Sequence, residues 1–334
     1  MSHQVAVLGA GSWGTALAKL LADKGNYVRL WARRENVAQA IEAARENTAY
    51  LPGAALPKTL RATHSLESAL QDVDMIVSVI PSHGLRDTLK EALSLFPNVP
   101  IVSASKGIEN STLKLVSEIF EEHLHPSRHK QLTYLSGPSF AREVALGMPT
   151  AVSVAGLDAK VTERVQHAFS TDRFRVYSTD DVVGVEVGGA LKNVIAIAAG
   201  IADGLGFGSN TRAALITRGL AEIGRLAMKR GGHPLTLAGL AGMGDLVLTC
   251  TGDLSRNRTV GLELGRGKKL ADVLAGMTQV AEGVRTTKSA YDLALREHVD
   301  MPIVGEIYKV LYEDRAPLDA LRSLMTRDPR PERD

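Results

Sequence analysis

Three charged residues that are distant in the sequence are suited to moving a proton and to holding a charged substrate: Lys106, Lys192 and Asp245. Lys192 lies in an apolar helical run over residues 188–199, where small and apolar side chains share its face by three- and four-residue spacing. Desolvation by these neighbours favours the neutral amine, which can accept a proton. Each residue also has a simpler interpretation: a lysine whose ammonium reaches solvent, a solvated loop lysine, and an aspartate that caps a helix.

A second group of residues carries the donors that a phosphate monoester requires. Ser255, Arg256, Asn257 and Arg258 offer a hydroxyl, an amide and two guanidinium groups at consecutive positions. Ser139 lies in segment 136–143, where serine and proline mark the start of a helix, and the free amides of such a start bind anions. A simple helix cap is the alternative role for this serine. No cluster of His, Cys and Asp has the spacing of metal ligands, so no metal is expected.

The elements that position these groups begin with a strand, a glycine-rich turn and a helix over residues 5–21. Apolar residues with β-branched valines predict a buried strand at residues 5–8, and the Ala/Leu-rich run after the turn has helical spacing. In the Gly-x-Gly-x-x-Gly turn, Gly9 permits the turn, Gly11 lets the main chain approach a pyrophosphate, and Gly14 lets the helix pack on the strand. The combination predicts a dinucleotide-binding site.

The end of the second predicted strand, residues 27–31, bears on the choice of cofactor. NAD-preferring sites of this type usually have an acidic residue about 20 positions after the glycines, where it binds the ribose hydroxyl. This chain has Arg33 and Arg34 there instead. Two guanidinium groups suit a ribose 2′-phosphate, so NADPH is expected to be preferred, with NADH possible. A solvated basic loop is the alternative.

The remaining pattern predicts an α/β protein with a second, helical part. Strands are predicted at residues 74–80, 101–104 and 150–154 and near Val176, with helices between them, as in a Rossmann-type, doubly wound, mostly parallel sheet. The ends of two of these strands carry Lys106 and the segment Ser82-His83, at the edge where such sheets bind ligands. From residue 185 onward the pattern is helical. We therefore expect a dinucleotide-binding domain over residues 1–184 and an all-α substrate-binding and catalytic domain over residues 185–334.

Composition narrows the class of protein further. The 334 residues favour two domains, and the 39 basic and 37 acidic residues leave a formal net charge of +2, which predicts neither a nucleic-acid partner nor a membrane surface. Cys250 is the only cysteine, which is compatible with a reducing compartment. No signal peptide is recognisable, and the apolar stretch at residues 194–202 is too short to span a membrane. A soluble, cytoplasmic protein is expected.

Eight ordered motifs resemble those of the bacterial NAD(P)-dependent glycerol-3-phosphate dehydrogenase family, and the resemblance covers nearly the whole chain. They are GAGSWGTALA at 9–18, YLPG at 50–53, SKGIE at 105–109, SGPSFA at 136–141, LKNVIAI at 191–197, GMGDLVLTC at 242–250, SRNR at 255–258 and VAEG at 280–283. The resemblance implies reversible reduction of dihydroxyacetone phosphate to sn-glycerol 3-phosphate for glycerophospholipid synthesis, by a homodimer.

The same resemblance implies roles for individual residues. Lys192 would be the general acid/base at the C2 oxygen of the substrate. The implied cofactor-binding residues are Gly9, Gly11, Ser12, Trp13, Gly14, Arg33, Arg34, Tyr50, Lys106, Ala141, Arg256, Val280 and Glu282. The implied substrate-binding residues are Lys106, Gly137, Ser139, Lys192, Asp245, Ser255, Arg256 and Asn257.

Two other functions remain open at this point. A related β-hydroxyacid dehydrogenase shares the glycine turn and a lysine on a helix, but its substrate has a carboxylate where this substrate has a phosphate, and the donors at residues 255–258 suit a phosphate dianion better. A nucleotide-binding sensor without catalysis is the other alternative, and in that case Lys192 and Asp245 would be incidental.

Overall fold

The structure, a computed structural model, describes residues 2–277, 281–329 and 331–332. Eight strands lie in this part of the chain: β1 (Gln4–Leu8), β2 (Tyr27–Trp31), β3 (Leu60–Thr63), β4 (Met75–Ser78), β5 (Ile101–Ser103), β6 (Leu132–Ser136), β7 (Thr150–Gly156) and β8 (Phe174–Thr179). They form one sheet in the order β3-β2-β1-β4-β5-β6-β7-β8. All neighbours pair in parallel except β6 and β7, which are antiparallel.

The predicted Rossmann-type, mostly parallel sheet is therefore confirmed, with two strands added, β3 and β6. Strand β3 is absent from the sequence-based prediction, because its four residues contain no apolar run. It pairs with β2 at the edge of the sheet, where only one neighbour is needed. The sheet order places the start of the chain at its centre, so the glycine turn after β1 lies where the strand order changes direction.

Helices connect the strands and make up the second half of the described chain. They are α1 (Ser12–Asp23), α2 (Glu35–Ala44), α3 (Leu66–Leu70), α4 (Ser82–Ala92), α5 (Val116–His123), α6 (Ala141–Ala145), α7 (Ala159–Phe169), α8 (Val182–Gly204), α9 (Ser209–Lys229), α10 (Pro234–Ala238), α11 (Asp245–Thr251), α12 (Arg256–Gly265), α13 (Leu270–Ala275), α14 (Glu282–Glu297), α15 (Pro302–Tyr312) and α16 (Pro317–Met325). A π-helical turn, Leu240–Gly244, precedes α11. The expected domain boundary after residue 184 falls in the first turn of α8 and stays a prediction.

Alternate residues of the central strands supply two cores, one on each face of the sheet. Val7 and Val77 belong to one core, whereas Ala6 and Ile76 belong to the other. This is why these strands are apolar at every position rather than at every second one. These two cores pack on both faces of the sheet, and the carboxyl ends of β1, β4 and β5 lie in one row between them.

The third core surrounds α8, which is almost entirely buried. This helix has 23 residues and is long and apolar enough to cross a membrane, but most of it is enclosed by the other helices. The apolar stretch at residues 194–202 is thus only part of a longer helix, which the sequence-based prediction underestimates, because Glu186, Lys192 and Asn193 interrupt the apolar pattern. Its burial indicates a core helix and not a membrane span.

Glycines bring α8 and α12 into direct backbone contact. A β-carbon on Gly200 would lie 2.1 Å from the Arg258 carbonyl oxygen, and one on Gly261 would lie 2.0 Å from the Ile197 carbonyl oxygen. Neither distance leaves room for a side chain, so the two helices approach as closely as backbones can. The start of α12 is thereby set against the helix that carries Lys192.

Candidate active site

The glycine turn between β1 and α1 has the close contacts that its sequence predicts. Gly9 has a φ of +120°, and a β-carbon there would lie 2.7 Å from the Val79 carbonyl oxygen. A β-carbon on Gly14 would lie 1.8 Å from the Gly9 carbonyl oxygen, so α1 can pack on the turn only with glycine at this position. Beside Gly11, in contrast, nothing lies within 4 Å of the place of a β-carbon. Its main chain therefore faces open space.

That open space is a cleft of about 840 Å³ between the carboxyl ends of the strands and the helical half of the chain. Its walls contain nearly all of the predicted site residues: Gly9, Gly11, Ser12, Trp13, Gly14, Arg33, Arg34, Tyr50, Lys106, Ser139, Ala141, Lys192, Ser255, Arg256, Asn257 and Glu282. Gly137 and Asp245 are not among the residues that line the cleft, and Val280 lies outside the described residues. A volume of this order suits an extended cofactor together with a small substrate.

The residues around the turn fit a dinucleotide. The indole N–H of Trp13 is buried and has no hydrogen-bond partner among the described residues, so it is a donor available to a ligand. The amides at the start of α1 are positioned to bind phosphate oxygens, and Gly11 leaves space for them. Trp13 and Gly11 would thus hold the pyrophosphate end of the cofactor, whose own chemistry is hydride transfer.

The two arginines after β2 reach the far end of the cleft. Arg33 and Arg34 are exposed, and Arg34 donates a hydrogen bond to the Tyr50 hydroxyl. Ala32, which directly follows β2, is buried, so this strand ends without an acidic side chain at the cleft. The site therefore has two arginine side chains at the position where NAD-preferring sites have an acidic residue that binds the ribose hydroxyl.

Lys106, Lys192 and Asp245 meet at the inner wall of the cleft. Lys106 donates to Oδ2 of Asp245 at 2.6 Å, and Lys192 donates to Oδ1 of the same carboxylate. Lys192 also donates to the Thr249 hydroxyl at 2.8 Å. The Asp245 side chain is 1% exposed, and those of the two lysines are 15% and 9% exposed. A buried carboxylate therefore links two amines that come from different parts of the chain.

This geometry overturns two of the simpler interpretations. Asp245 is the first residue of α11, whose cap is Gly244, and its carboxylate binds lysines instead of helix amides. Lys106 is not a solvated loop residue, because its side chain is largely buried beside that carboxylate. Thr249 is absent from the predicted site, although its position four residues after Asp245 places both on one face of α11.

Burial and charge shift the pKa values in this group in opposite directions. Burial lowers the pKa of Lys192 to about 8, with the Asp245 carboxylate opposing and Lys106 reinforcing this change. For Asp245, burial raises the pKa, but the charges of Lys106 and Lys192 outweigh burial and leave it lowered. An ionised carboxylate thus holds an amine that exchanges its proton close to neutral pH.

The start of α12 forms the other polar wall. Ser255 caps this helix and accepts a hydrogen bond from the Arg258 amide at 3.3 Å. The Asn257 side chain donates to Oδ1 of Asn193 at 2.9 Å and accepts from the Gly283 amide at 2.9 Å, which connects α8, α12 and α14. Asn193 is absent from the predicted site, although it directly follows Lys192.

The two arginines in the first turn of α12 have different surroundings. Arg256 faces the carboxyl of Glu282, whose pKa is raised by burial and lowered by this arginine. Arg258 departs from its expected place among the phosphate donors, because its guanidinium binds Asp203 and Asp253. Of the four consecutive donors at residues 255–258, the first three therefore line the cleft.

The loop between β6 and α6 lies beside the lysines. Gly137 is buried with a φ of +145°, and a β-carbon there would lie 2.9 Å from Val152 Cα, so only glycine fits. Ser139 donates from its hydroxyl to the Gly137 carbonyl at 2.9 Å. It does not cap α6, since Phe140 occupies that position. No group of three side chains suitable for a metal ion occurs among the described residues.

The fold and the cleft define a class, the dehydrogenases with a Rossmann-type dinucleotide site and a helical second half. The description "NAD-dependent glycerol-3-phosphate dehydrogenase N-terminus" matches residues 4–162, and the corresponding C-terminus description matches residues 181–322. The chain belongs to the NAD(P)-dependent glycerol-3-phosphate dehydrogenase family of bacteria, and it is an oxidoreductase.

The chain is similar to individual members of this family over nearly its whole length. The glycerol-3-phosphate dehydrogenase (NAD(P)+) of Geobacter sulfurreducens is 56% identical over 334 residues, which is 100% of both chains. That of Citrifermentans bemidjiense is 56% identical over 98% of both. The crystal structure of glycerol-3-phosphate dehydrogenase from Coxiella burnetii has a TM-score of 0.93 at 41% identity and covers 98% of this chain and 99% of that one. D-mandelate dehydrogenase, at 14% identity and a TM-score of 0.61, shares the fold alone.

Proposed function

We propose that this protein reversibly reduces dihydroxyacetone phosphate to sn-glycerol 3-phosphate with NAD(P)H, and so supplies glycerophospholipid synthesis. The observation that carries the proposal is the group formed by Lys106, Asp245 and Lys192 at the inner wall of the dinucleotide cleft. A carbonyl that accepts a hydride becomes an alkoxide, and this group would supply a proton donor of suitable pKa to the oxygen where that charge develops.

In the proposed mechanism, Lys192 is the general acid/base. When bound, the nicotinamide cofactor supplies the hydride to C2 of the ketone. The Lys192 ammonium donates a proton to the C2 oxygen, and in the reverse direction the neutral amine accepts it. Asp245 and Thr249 hold the Lys192 amine in place. Lys106 shares the same carboxylate, and its charge stabilises the negative oxygen.

The phosphate of the substrate would bind at the start of α12. Ser255, Arg256 and Asn257 provide a hydroxyl, a guanidinium and an amide in one turn. Ser139 also lines the cleft, and Ser139 together with Gly137 would bind the substrate, as the resemblance to the family implies. Arg256 would contact both the substrate phosphate and the cofactor, as the resemblance to the family implies, and it lines the cleft together with Glu282.

We also propose that NADPH is preferred over NADH. The support is the pair of exposed arginines, Arg33 and Arg34, at the end of β2, together with the absence of an acidic residue at positions 32–34. A 2′-phosphate would accept hydrogen bonds from both guanidinium groups. The proposal also includes a homodimer, which rests on the resemblance to the family, and a cytoplasmic location, which rests on the composition and the single cysteine.

The test is oxidation of NADPH by the purified protein with dihydroxyacetone phosphate, compared with NADH at the same concentration. We expect turnover with both cofactors and a higher kcat/KM for NADPH. Equal rates would keep the enzyme assignment and remove the role of the two arginines. Cofactor binding without turnover on the phosphorylated ketone, combined with turnover on a β-hydroxyacid, would replace the proposed substrate by that of the related hydroxyacid dehydrogenases.

A further inference from the structure

A polar cluster around Asp203 joins three helices outside the proposed reaction centre. Asp203 lies in the last turn of α8, and its side chain is 7% exposed. Arg212 of α9 donates to Oδ1 from Nε at 3.0 Å and from Nη2 at 2.7 Å. Arg258 of α12 approaches Oδ2 with Nε at 2.9 Å and with Nη2 at 2.8 Å. One buried carboxylate therefore receives two guanidinium groups from two other helices.

The cluster acts on the helix turn that faces the cleft. Arg258 is the third residue of α12, and Arg256 and Asn257, directly before it, line the cleft. The Arg258 carbonyl also lies against Gly200 of α8, where a β-carbon would be 2.1 Å away. The first turn of α12 is thus held against α8 by its backbone and by its arginine side chain at once.

We propose that Asp203 is a positioning residue for the phosphate end of the substrate. Through the hydrogen bond from Arg258 Nε and the ion pair with Arg258 Nη2, it fixes the direction in which Arg256 and Asn257 project into the cleft. A carboxylate that binds a guanidinium with two nitrogens sets orientation as well as distance, and small displacements of a positioning group weaken binding and catalysis. This inference rests on the proposed function, which assigns phosphate binding to residues 255–257.

The experiment uses Asp203→Asn in the full chain. At saturating NADPH, we would measure kcat, the KM for dihydroxyacetone phosphate and the inhibition constant of inorganic phosphate as a competitor. Both the KM and the inhibition constant are expected to rise about tenfold, with kcat changed by less than about threefold. A loss of folded protein alone would lower kcat and leave both constants unchanged.

Two further variants show which contact matters. Arg212→Met removes the other guanidinium, which is not on α12, and is expected to leave both constants within about twofold of the wild-type values. Arg258→Lys keeps the positive charge but loses the planar pair of donors, so the inhibition constant of phosphate is expected to rise several-fold. This second variant decides the question if Asp203→Asn does not fold.

Arg256→Met separates failure of this inference from failure of the proposed function. If Arg256→Met weakens phosphate inhibition more than about tenfold while Asp203→Asn and Arg258→Lys leave it unchanged, phosphate binds at α12 without the help of Asp203, and the inference is wrong. If Arg256→Met also leaves it unchanged, the phosphate does not bind at residues 255–257, and both proposals fail. Equal weakening by Arg212→Met would show that the effect does not depend on the contact between Asp203 and α12, and it would also overturn the inference.

Discussion

At the scale of residues, Lys192 is a buried amine whose partners come from a different helix. Asp245 and Thr249 of α11 bind it, and Lys106 adds a second positive charge on the same carboxylate. Burial alone would leave a neutral amine, whereas the carboxylate alone would keep it charged. The balance brings the pKa to about 8, where an amine can both donate and accept a proton in water near neutrality.

The variant Lys192→Ala tests this role. We expect kcat to fall by about 10²-fold or more, since general acid/base catalysis contributes about 10²–10⁴-fold. Binding of NADPH, followed by its fluorescence, is expected to persist, because the glycine turn and the arginines are untouched. Lys192→Arg is the matched control: it keeps the charge but does not release its proton, so it is expected to stay slow. Turnover near the wild-type value in either variant would remove Lys192 from the mechanism.

At the scale of elements, the contact between α8 and α12 decides where the two polar walls of the cleft lie. Lys192 projects from the middle of α8, and the residues proposed to bind phosphate project from the start of α12. The glycine pairs of these helices, Gly200 with Gly204 and Gly261 with Gly265, remove the side chains that would keep the helices apart. The distance between the proposed proton donor and the proposed phosphate site is therefore set by a backbone contact.

The substitution Gly200→Ala is expected to destabilise the protein. Its methyl group would lie 2.1 Å from the Arg258 carbonyl oxygen, so α12 must move away. Overpacking of this kind costs about 1–3 kcal/mol, which outweighs the gain of about 1 kcal/mol from replacing a helical glycine.

The matched control for this contact is Gly224→Ala in α9, where the nearest atom would be Leu237 Cδ1 at 3.7 Å. This variant is expected to gain stability, because the methyl group meets only an ordinary van der Waals neighbour. Urea unfolding of both variants measures the difference. A stabilised Gly200→Ala would show that the helices have room to separate and that the contact does not set their distance.

At the scale of the whole molecule, the helical half is organised around buried polar groups as well as around α8. Glu222 of α9 is 1% exposed. It accepts hydrogen bonds from the amides of Ile303 and Val304, at 2.7 and 3.2 Å, at the start of α15. Burial raises its pKa from 4.5 to about 7, and the two amides and Arg225 oppose that change. Glu222 therefore couples the packing of two helices to pH.

This coupling is expected to make the free energy of unfolding depend on pH. The unfolded chain releases the Glu222 proton near pH 4.5, whereas the folded protein keeps it to about pH 7. Between these values the folded state binds more protons, so the contribution of Glu222 falls as pH rises, by on the order of 3 kcal/mol.

Glu222→Gln is the control variant, because its side chain has the same shape but does not titrate. Urea unfolding of both proteins at several pH values is expected to show that the wild type loses stability relative to Glu222→Gln between pH 4.5 and 7. Curves that stay parallel through this range would contradict a raised pKa for this carboxyl.

Several features of the protein could be predicted from the sequence because they depend on neighbours in the chain. The glycine turn, the buried strands around it and the arginines after β2 are local patterns, and periodicity or fixed spacing reveals them. The mostly parallel sheet follows, since strands that alternate with helices have few ways to pair. Strand β3 was not predicted, because a short edge strand needs no apolar run.

The arrangement of the proposed reaction centre was decided by tertiary structure. Asp245 is 53 positions from Lys192 and 139 positions from Lys106, the two lysines that donate hydrogen bonds to it. No local pattern in the sequence links residues so far apart. No local pattern distinguishes an aspartate that caps a helix from one that holds two lysines, or Arg256 in the cleft from Arg258 on Asp203. Only the resemblance to the family singled out Asp245 and Arg256. Burial determines these roles, because a charge removed from water must find its partner wherever folding brings one within reach.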